Sequence, residues 1–164
     1  VTDEARRARN AERLLECYPT FRARVTKVIA AMEAAGFRPR IQDAWRSPAD
    51  QIKAYETGHS KLRWGFHNST GPKGEKEALA VDLIDDDHPL NSAKPYLLRL
   101  AACARDAKLE TGILWGLPPR LQQAVVAAIV AGQWNLDLKL GWDPSHLQPI
   151  DLTSIEARRG ERPS

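Results

Sequence analysis

The sequence predicts an α+β fold in a single domain. Three observations carry that prediction. Stretches with helical spacing of apolar residues recur along the chain, the strand candidates between them are short, and helices and strands do not alternate in the regular order of a doubly wound parallel sheet. The 164 residues suffice for one domain with a real core, and 43% hydrophobic against 27% charged residues is the balance of an ordinary globular protein.

Thr2-Asp3-Glu4 opens the first helix with an oxygen cap and acids placed at the positive end of the helix dipole. This polar, Arg-rich helix is predicted to run to about Cys17, where Pro19 ends it, so residues 1–18 read as an N-terminal helical extension. Phe21, Val25, Val28, Ile29 and Met32 share one face of a second helix, and Gly36 supplies its stop. Pro39 to Trp45 reads as a strand. Ser47-Pro48-Ala49-Asp50 is a capped helix start, leading through Gln51, Ile52 and Tyr55 to a stop at Gly58.

Residues 59–77 are loop-like, broken by Gly65, Gly71, Pro72 and Gly74. Ala78 to Ile84 is the best strand candidate, apolar throughout except for Asp82. A helix from about Ser92 to Lys108 carries Leu97, Leu100, Ala101 and Ala104 on one face. Gly112 to Gly116 reads as a short strand, Leu121 to Ala131 as a small apolar helix, and the stretch after Gln133 as strand and loop up to Leu147. From Glu156 to Ser164 the chain is polar and is expected to fray.

Composition narrows the function classes. The longest apolar run, Ala124 to Ala131, is far too short to span a membrane. A net charge of +3 mildly favours anionic partners, but acids interleave with most of the arginines (Arg6, Arg7, Arg9 and Arg13; Arg158, Arg159 and Arg162), which suits a solvated surface. With no aromatic-basic RNA motif and no helix-turn-helix signature, a nucleic-acid partner is not expected. Cys17 and Cys103 fit either one disulfide or two separate buried thiols. Val1 leaves open what precedes it in a longer precursor.

The chemistry gathers around Trp142-Asp143-Pro144-Ser145-His146, together with His67 and Asp82. Two imidazoles and one carboxylate, with water in an open fourth position, form a ligand set of catalytic zinc. Asp143 would then stand outside the ligands as a general base. A single histidine is more often a hydrogen-bonded loop or core residue. An unpaired carboxylate in an apolar strand is harder to dismiss, because its burial is costly. Arg46, between a strand and a capped helix, is placed to meet an oxyanion or a substrate carboxylate, with a surface ion pair as the plainer alternative. Asp85-Asp86-Asp87-His88 lacks the ligand alternation and glycine of a calcium loop and reads as a solvated strand end, with Asp86 or Asp87 facing water. Trp64, Trp115 and Trp142 either line a groove or fill the core.

Several of these stretches occur together in one order: Trp45-Arg46-Ser47-x-x-x-Gln51, Gly58-His59-Ser60-Lys61, Phe66-His67-Asn68, Ala80-Val81-Asp82-Leu83, Gly112-Ile113-Leu114-Trp115-Gly116 and Trp142-Asp143-x-x-His146. The set, spanning residues 45 to 146, resembles the zinc D-alanyl-D-alanine carboxypeptidase and L-alanyl-D-glutamate endopeptidase family, which includes phage endolysins and vancomycin-resistance dipeptidases. The resemblance implies a fold shared with the hedgehog signalling domain, a small antiparallel sheet with helices packed around it. It implies one zinc ion held by His67, Asp82 and His146, with Asp143 as catalytic base and Arg46 polarising the scissile carbonyl. Gln51, Ser60 and Trp142 fall near the substrate, although Ser47 and Gln51 have an equally good structural job in starting and pinning a helix.

The implied substrate is the peptide stem of bacterial peptidoglycan, cut by a monomer that is secreted, periplasmic or phage-borne. Endopeptidase and carboxypeptidase action both remain open, and the alternative is a non-catalytic wall- or partner-binding module on the same fold. Two departures stand out. His67 and Asp82 are further apart than in the short S-x-H-x-x-G-x-A-x-D form, so Ser69 to Glu77 should be an exposed loop near the site. Leu117 to Leu138 is an insertion that reads as extra core before it reads as a lid or a partner surface.

Overall fold

Short strands are stable only if their faces and edges find cover, and the arrangement of this chain follows from that need. The computed structural model describes residues 1–164. Strands β1 (Pro39–Asp43), β2 (Val81–Asp85), β3 (Leu109–Gly112) and β4 (Asp143–Pro149) form one antiparallel sheet in the order β1-β2-β4-β3. With helices set around this sheet, the fold is α+β, as the sequence predicts.

The two faces of the sheet have different fates. In β2, Val81 and Leu83 point into the core, while Asp82 and Ile84 point to the half-covered side. Helices α2 (Pro19–Ala34) and α4 (Lys94–Asp106) cover the core face, where Phe21, Val25, Val28, Met32, Leu97, Leu100 and Ala104 pack with Ile41, Leu83, Leu109 and Leu147. Helix α5 (Pro119–Ala131) lies against α4 and builds a second apolar cluster from Leu98, Ala101, Ile113, Leu117, Val125 and Ile129. The 117–138 segment therefore contributes core. No helix is long and apolar enough to cross a membrane.

Helix α1 (Asp3–Leu14), capped by Thr2, does a specific job for the sheet. Strand β1 is an edge, and its outward backbone groups are taken up by α1 side chains. Arg6 and Asn10 both donate to the Pro39 carbonyl (2.9 and 3.0 Å), Arg9 donates to the Ile41 carbonyl, and the Ile41 amide donates to Asn10 Oδ1 at 2.8 Å. A polar, Arg-rich helix is what an unpaired strand edge requires. Arg6 is accordingly 1% exposed and ion-paired with Glu33 and Asp3, not part of a solvated surface.

Other expectations are corrected in the same way. Pro19 begins α2 instead of merely ending α1, because the first helical position needs no N–H. The third strand lies at 109–112, not 112–116. After Gly112 the backbone turns, with the Trp115 amide donating to the Gly112 carbonyl and Gly116 at φ +78°. Of the two acids of which one was expected to face water, Asp87 does, pairing with Arg38, whereas Asp86 is buried, with Arg40 Nε at 2.7 Å and Arg38 at 3.5 Å.

The tail does not fray. Thr153 and Glu156 form a capping box that starts α6 (Ser154–Arg158), and Arg162 donates to Glu77 and to the Thr70 carbonyl. Thr20 and Arg24 hold the Pro163 and Ser164 carbonyls. Both cysteines are free thiols, and burial pushes the Cys17 thiol up to about 12.

Removing Arg6 leaves β1 carbonyl and Glu33 partners unanswered, so Arg6→Ala is expected to cost about 2–4 kcal/mol. Urea unfolding of the variant against wild type measures it, with a lower midpoint as the expected result.

Candidate metal centre

Antiparallel pairing of β2 and β4 puts Asp82 directly opposite His146. Because side chains alternate along a strand, His146 and Gln148 share the face that Asp82 occupies, while Leu147 goes to the core. The register alone thus aims one carboxylate and one imidazole into the half-covered side of the sheet.

His67 arrives from a loop, and the loop is held tightly. It sits in a 3₁₀ turn, Phe66–Asn68, whose wholly buried Asn68 accepts from the Gly65 amide at 2.8 Å and donates to the Arg46 carbonyl at 2.9 Å. The Arg46 amide in turn donates to the His67 carbonyl at 2.9 Å. His67 Nδ1 donates to the Ala44 carbonyl at 2.6 Å, which leaves Nε2 with its lone pair facing Asp82.

The three side chains converge without hydrogen-bonding one another. His67 Nε2 is 3.6 Å from Asp82 Oδ2, His146 Nδ1 is 3.4 Å from Asp82 Oδ1, and one donor atom from each residue lies within 4.8 Å of the others. A tetrahedral ion with arms of about 2.0–2.1 Å has edges of about 3.3–3.4 Å between its ligands. The two short contacts reach different oxygens of Asp82; it is the clustering of one donor atom from each residue within 4.8 Å, with the chemistry of the set, that fits a single divalent cation. In the protein without it, burial opposes the charge on Asp82, but His146 and then His67 outweigh that and hold the carboxyl far below its usual range. Burial likewise pulls His67 down, and the Asp82 carboxylate overrides it, leaving the imidazole raised.

Asp143 stands beside this trio, its Oδ2 3.7 Å from His146 Nδ1. Burial raises its carboxyl; His146 opposes the shift, Asp82 adds to it, and His67 opposes it in turn. Its position depends on a tight backbone approach. The Gly141 amide donates to the Ile113 carbonyl at 2.6 Å, and a Cβ at Gly141 would lie 2.4 Å from the Gly112 carbonyl oxygen. Glycine at 141 is the residue that lets the 141–143 segment close onto β3.

Arg46 enters between β1 and α3 (Pro48–Glu56), a helix that Ser47 caps by accepting from the Asp50 amide at 3.0 Å. Its guanidinium donates to Asp43 at 2.8 Å and to Gln51 Oε1 at 3.1 Å, and further N–H groups remain unspent. Gln51 is buried, and its amide nitrogen donates to Ser60 Oγ at 2.9 Å and to the Leu62 carbonyl at 2.6 Å. The Gln51 side chain thus braces Arg46 and the Ser60–Leu62 loop.

These residues line one cleft of about 770 Å³, which holds Arg46, Gln51, Ser60, His67, Asp82, Trp142, Asp143 and His146. Trp64 and Trp115 also line it, and Trp142, 70% exposed, leans on Trp115 with ring centroids 5.2 Å apart. The 69–77 loop contributes nothing to the cleft wall and packs by Thr70 and Glu77 against the Arg162 side chain instead. The Asp85–His88 stretch is also absent from it. The sequence shows Asn68 only as part of the Phe66-His67-Asn68 motif, without its bracing role, and does not point out Gln148 or Glu110. Gln148 had a faint signal as the polar residue two along from His146 in a strand; Glu110 had none, since only the β3–β4 register brings it there.

No protein-family profile matches the chain, and no curated protein sequence matches it. Among solved structures, it is similar to the crystal structure of Serratia marcescens L-Ala D-Glu endopeptidase ChiX, with a TM-score of 0.49 and 21% identity over 87% of this chain and 86% of that one. A likeness at this level leaves the chemistry to be argued from the site itself.

The two pKa directions set a pH window for the metal-free protein. Asp82, held low, contributes stability above its unfolded value that is lost as pH falls. His67, held high, contributes stability below its unfolded value that is lost as pH rises through the folded one. The stability of metal-free wild type relative to Asp82→Asn is therefore expected to peak between about pH 4 and 6.5 and to decline on both sides. Thermal unfolding of both proteins across pH, in chelator, measures it.

Proposed function

We propose that this protein is a zinc-dependent peptidase that hydrolyses the peptide stem of bacterial peptidoglycan. The observation that carries the reading is the convergence of His67, Asp82 and His146 on one point of a cleft that also holds Asp143 and Arg46. Two imidazole nitrogens and one carboxylate suit zinc among the divalent ions, and three protein ligands leave a position open. A bound zinc ion would supply Lewis acidity, lowering the pKa of water and offsetting negative charge on a substrate oxygen.

The chain's own groups divide the remaining work. Asp143 lies outside the ligand trio, so its carboxylate is free to take a proton from the attacking water and return it to the leaving amine. Arg46, clamped by Asp43 and Gln51, brings unspent N–H groups to meet the oxyanion that develops on the scissile carbonyl. A guanidinium fixed beforehand needs no reorganisation as charge appears. The cleft volume suits a short peptide, and the exposed Trp142 ring offers an apolar wall beside it. The choice of peptidoglycan over other peptides rests on the ordered motifs from Trp45 to His146, with a net charge of +3 in keeping with an anionic wall.

The test is release of new amines and muropeptides from purified sacculi. Wild type is expected to release them with zinc, lose activity in chelator and regain it when zinc is restored. Asp143→Ala should lower kcat by about a hundredfold to ten-thousandfold while retaining the metal. Unchanged release by Asp143→Ala contradicts the assigned base.

A further inference from the structure

The outer nitrogen of His146 is engaged in a chain of hydrogen bonds that crosses the sheet. His146 Nε2 lies 2.9 Å from Gln148 Oε1, and Gln148 Nε2 donates to Glu110 Oε1 at 2.8 Å. The three residues are placed by backbone geometry. His146 and Gln148 are two apart on β4 and share a face, and Gln148 stands directly opposite Glu110 in the β3–β4 register. With Asp82 opposite His146 on the other side, a single sheet face reads Asp82, His146, Gln148, Glu110.

We propose that Glu110 and Gln148 are positioning residues that set the tautomer of His146, so that it presents a bare Nδ1 to a metal ion. Donor and acceptor capacities fix the direction of each bond in the chain. A carboxylate accepts and does not donate, so Glu110 draws the NH₂ end of the Gln148 amide toward itself. The carbonyl end is thereby turned toward His146, where an acceptor requires an N–H partner. Gln148 Oε1, at hydrogen-bonding distance, places the proton of a neutral His146 on Nε2 against the weaker pull of Asp82 and Asp143, whose oxygens stand 3.4 and 3.7 Å from Nδ1, and leaves the lone pair on Nδ1. His67 is set by the opposite nitrogen, through the Ala44 carbonyl. Without Glu110 the Gln148 amide has no preferred orientation, and nothing compels the His146 proton to stay out of the site. The relay deepens the metal-site reading, on which its consequence for metal binding depends; the tautomer itself does not depend on it.

Reversing the polarity tests the relay. In Glu110→Lys, a donor faces Gln148, so the amide turns over and offers its NH₂ to His146 Nε2. The proton moves to Nδ1, and zinc affinity, measured by competition with a chelator, falls about 10–100-fold. Combining Glu110→Lys with Gln148→Glu places a new carboxylate beside His146, paired with the new ammonium across the strands. That double variant should return the proton to Nε2 and the affinity to near the wild-type value. Imidazole nitrogen NMR of the metal-free proteins, at alkaline pH where the rings are neutral, reads the tautomer directly, and their melting temperatures report folding. If wild type itself binds no zinc, the metal reading fails, and the NMR result alone decides the relay. A Glu110→Lys protein whose His146 keeps its proton on Nε2 overturns the proposal, whatever its stability or affinity. So does a folded double variant whose proton stays on Nδ1.

Discussion

The structure turns on one carboxylate that is only partly open to water. Asp82 occupies the second position of a central strand whose neighbours, Val81 and Leu83, are wholly buried, so its side chain emerges where the sheet is only half covered. An isolated charge there is costly, and the fold answers it with two imidazoles from opposite directions. One comes across the ladder from β4 and needs nothing but the register. The other comes from a loop, and much of the surrounding polar structure exists to hold that loop in place.

This accounts for the density of polar connections along one side of the molecule. Asn68 ties the His67 turn to the Arg46 backbone, Gln51 ties the Arg46 side chain to the Ser60–Leu62 loop, and Asp43 fixes the guanidinium from β1. Strand β1 can serve as that anchor because α1 closes its outer edge with Arg6, Arg9 and Asn10. The line of dependence runs from an N-terminal helix through an edge strand to the guanidinium in the cleft. On the other side, Gln148 and Glu110 hold His146 through the register of β3 and β4. Each imidazole is thus oriented by its far nitrogen, leaving the near one free.

Much of this is legible in the sequence, and the illegible parts share a cause. The α+β class, the Ser47 cap, the apolar face of α2 and the Asp82 strand follow from local spacing and capping chemistry, which a sequence displays directly. The third strand is misplaced because Gly112 to Gly116 is apolar enough to look extended, while the turn there is imposed by the distant Gly141 and Trp142 segment pairing with Ile113 and Trp115. Arg6 and Asp86 look like surface charges until their partners, 27 or more residues away, are known. The tail looks mobile until Thr70, Glu77, Thr20 and Arg24 close over it. Within the site, the ligand candidates carry a motif, whereas Glu110 is placed by tertiary register alone and leaves no local trace.

Whether His67, Asp82 and His146 together hold one metal ion decides what this cleft can do. Elemental analysis of the purified protein, dialysed against trace zinc and compared with His67→Ala handled identically, asks this most directly. One zinc per wild-type chain and little in the folded variant is the expected result. Equal metal in both, or none in wild type, would contradict it.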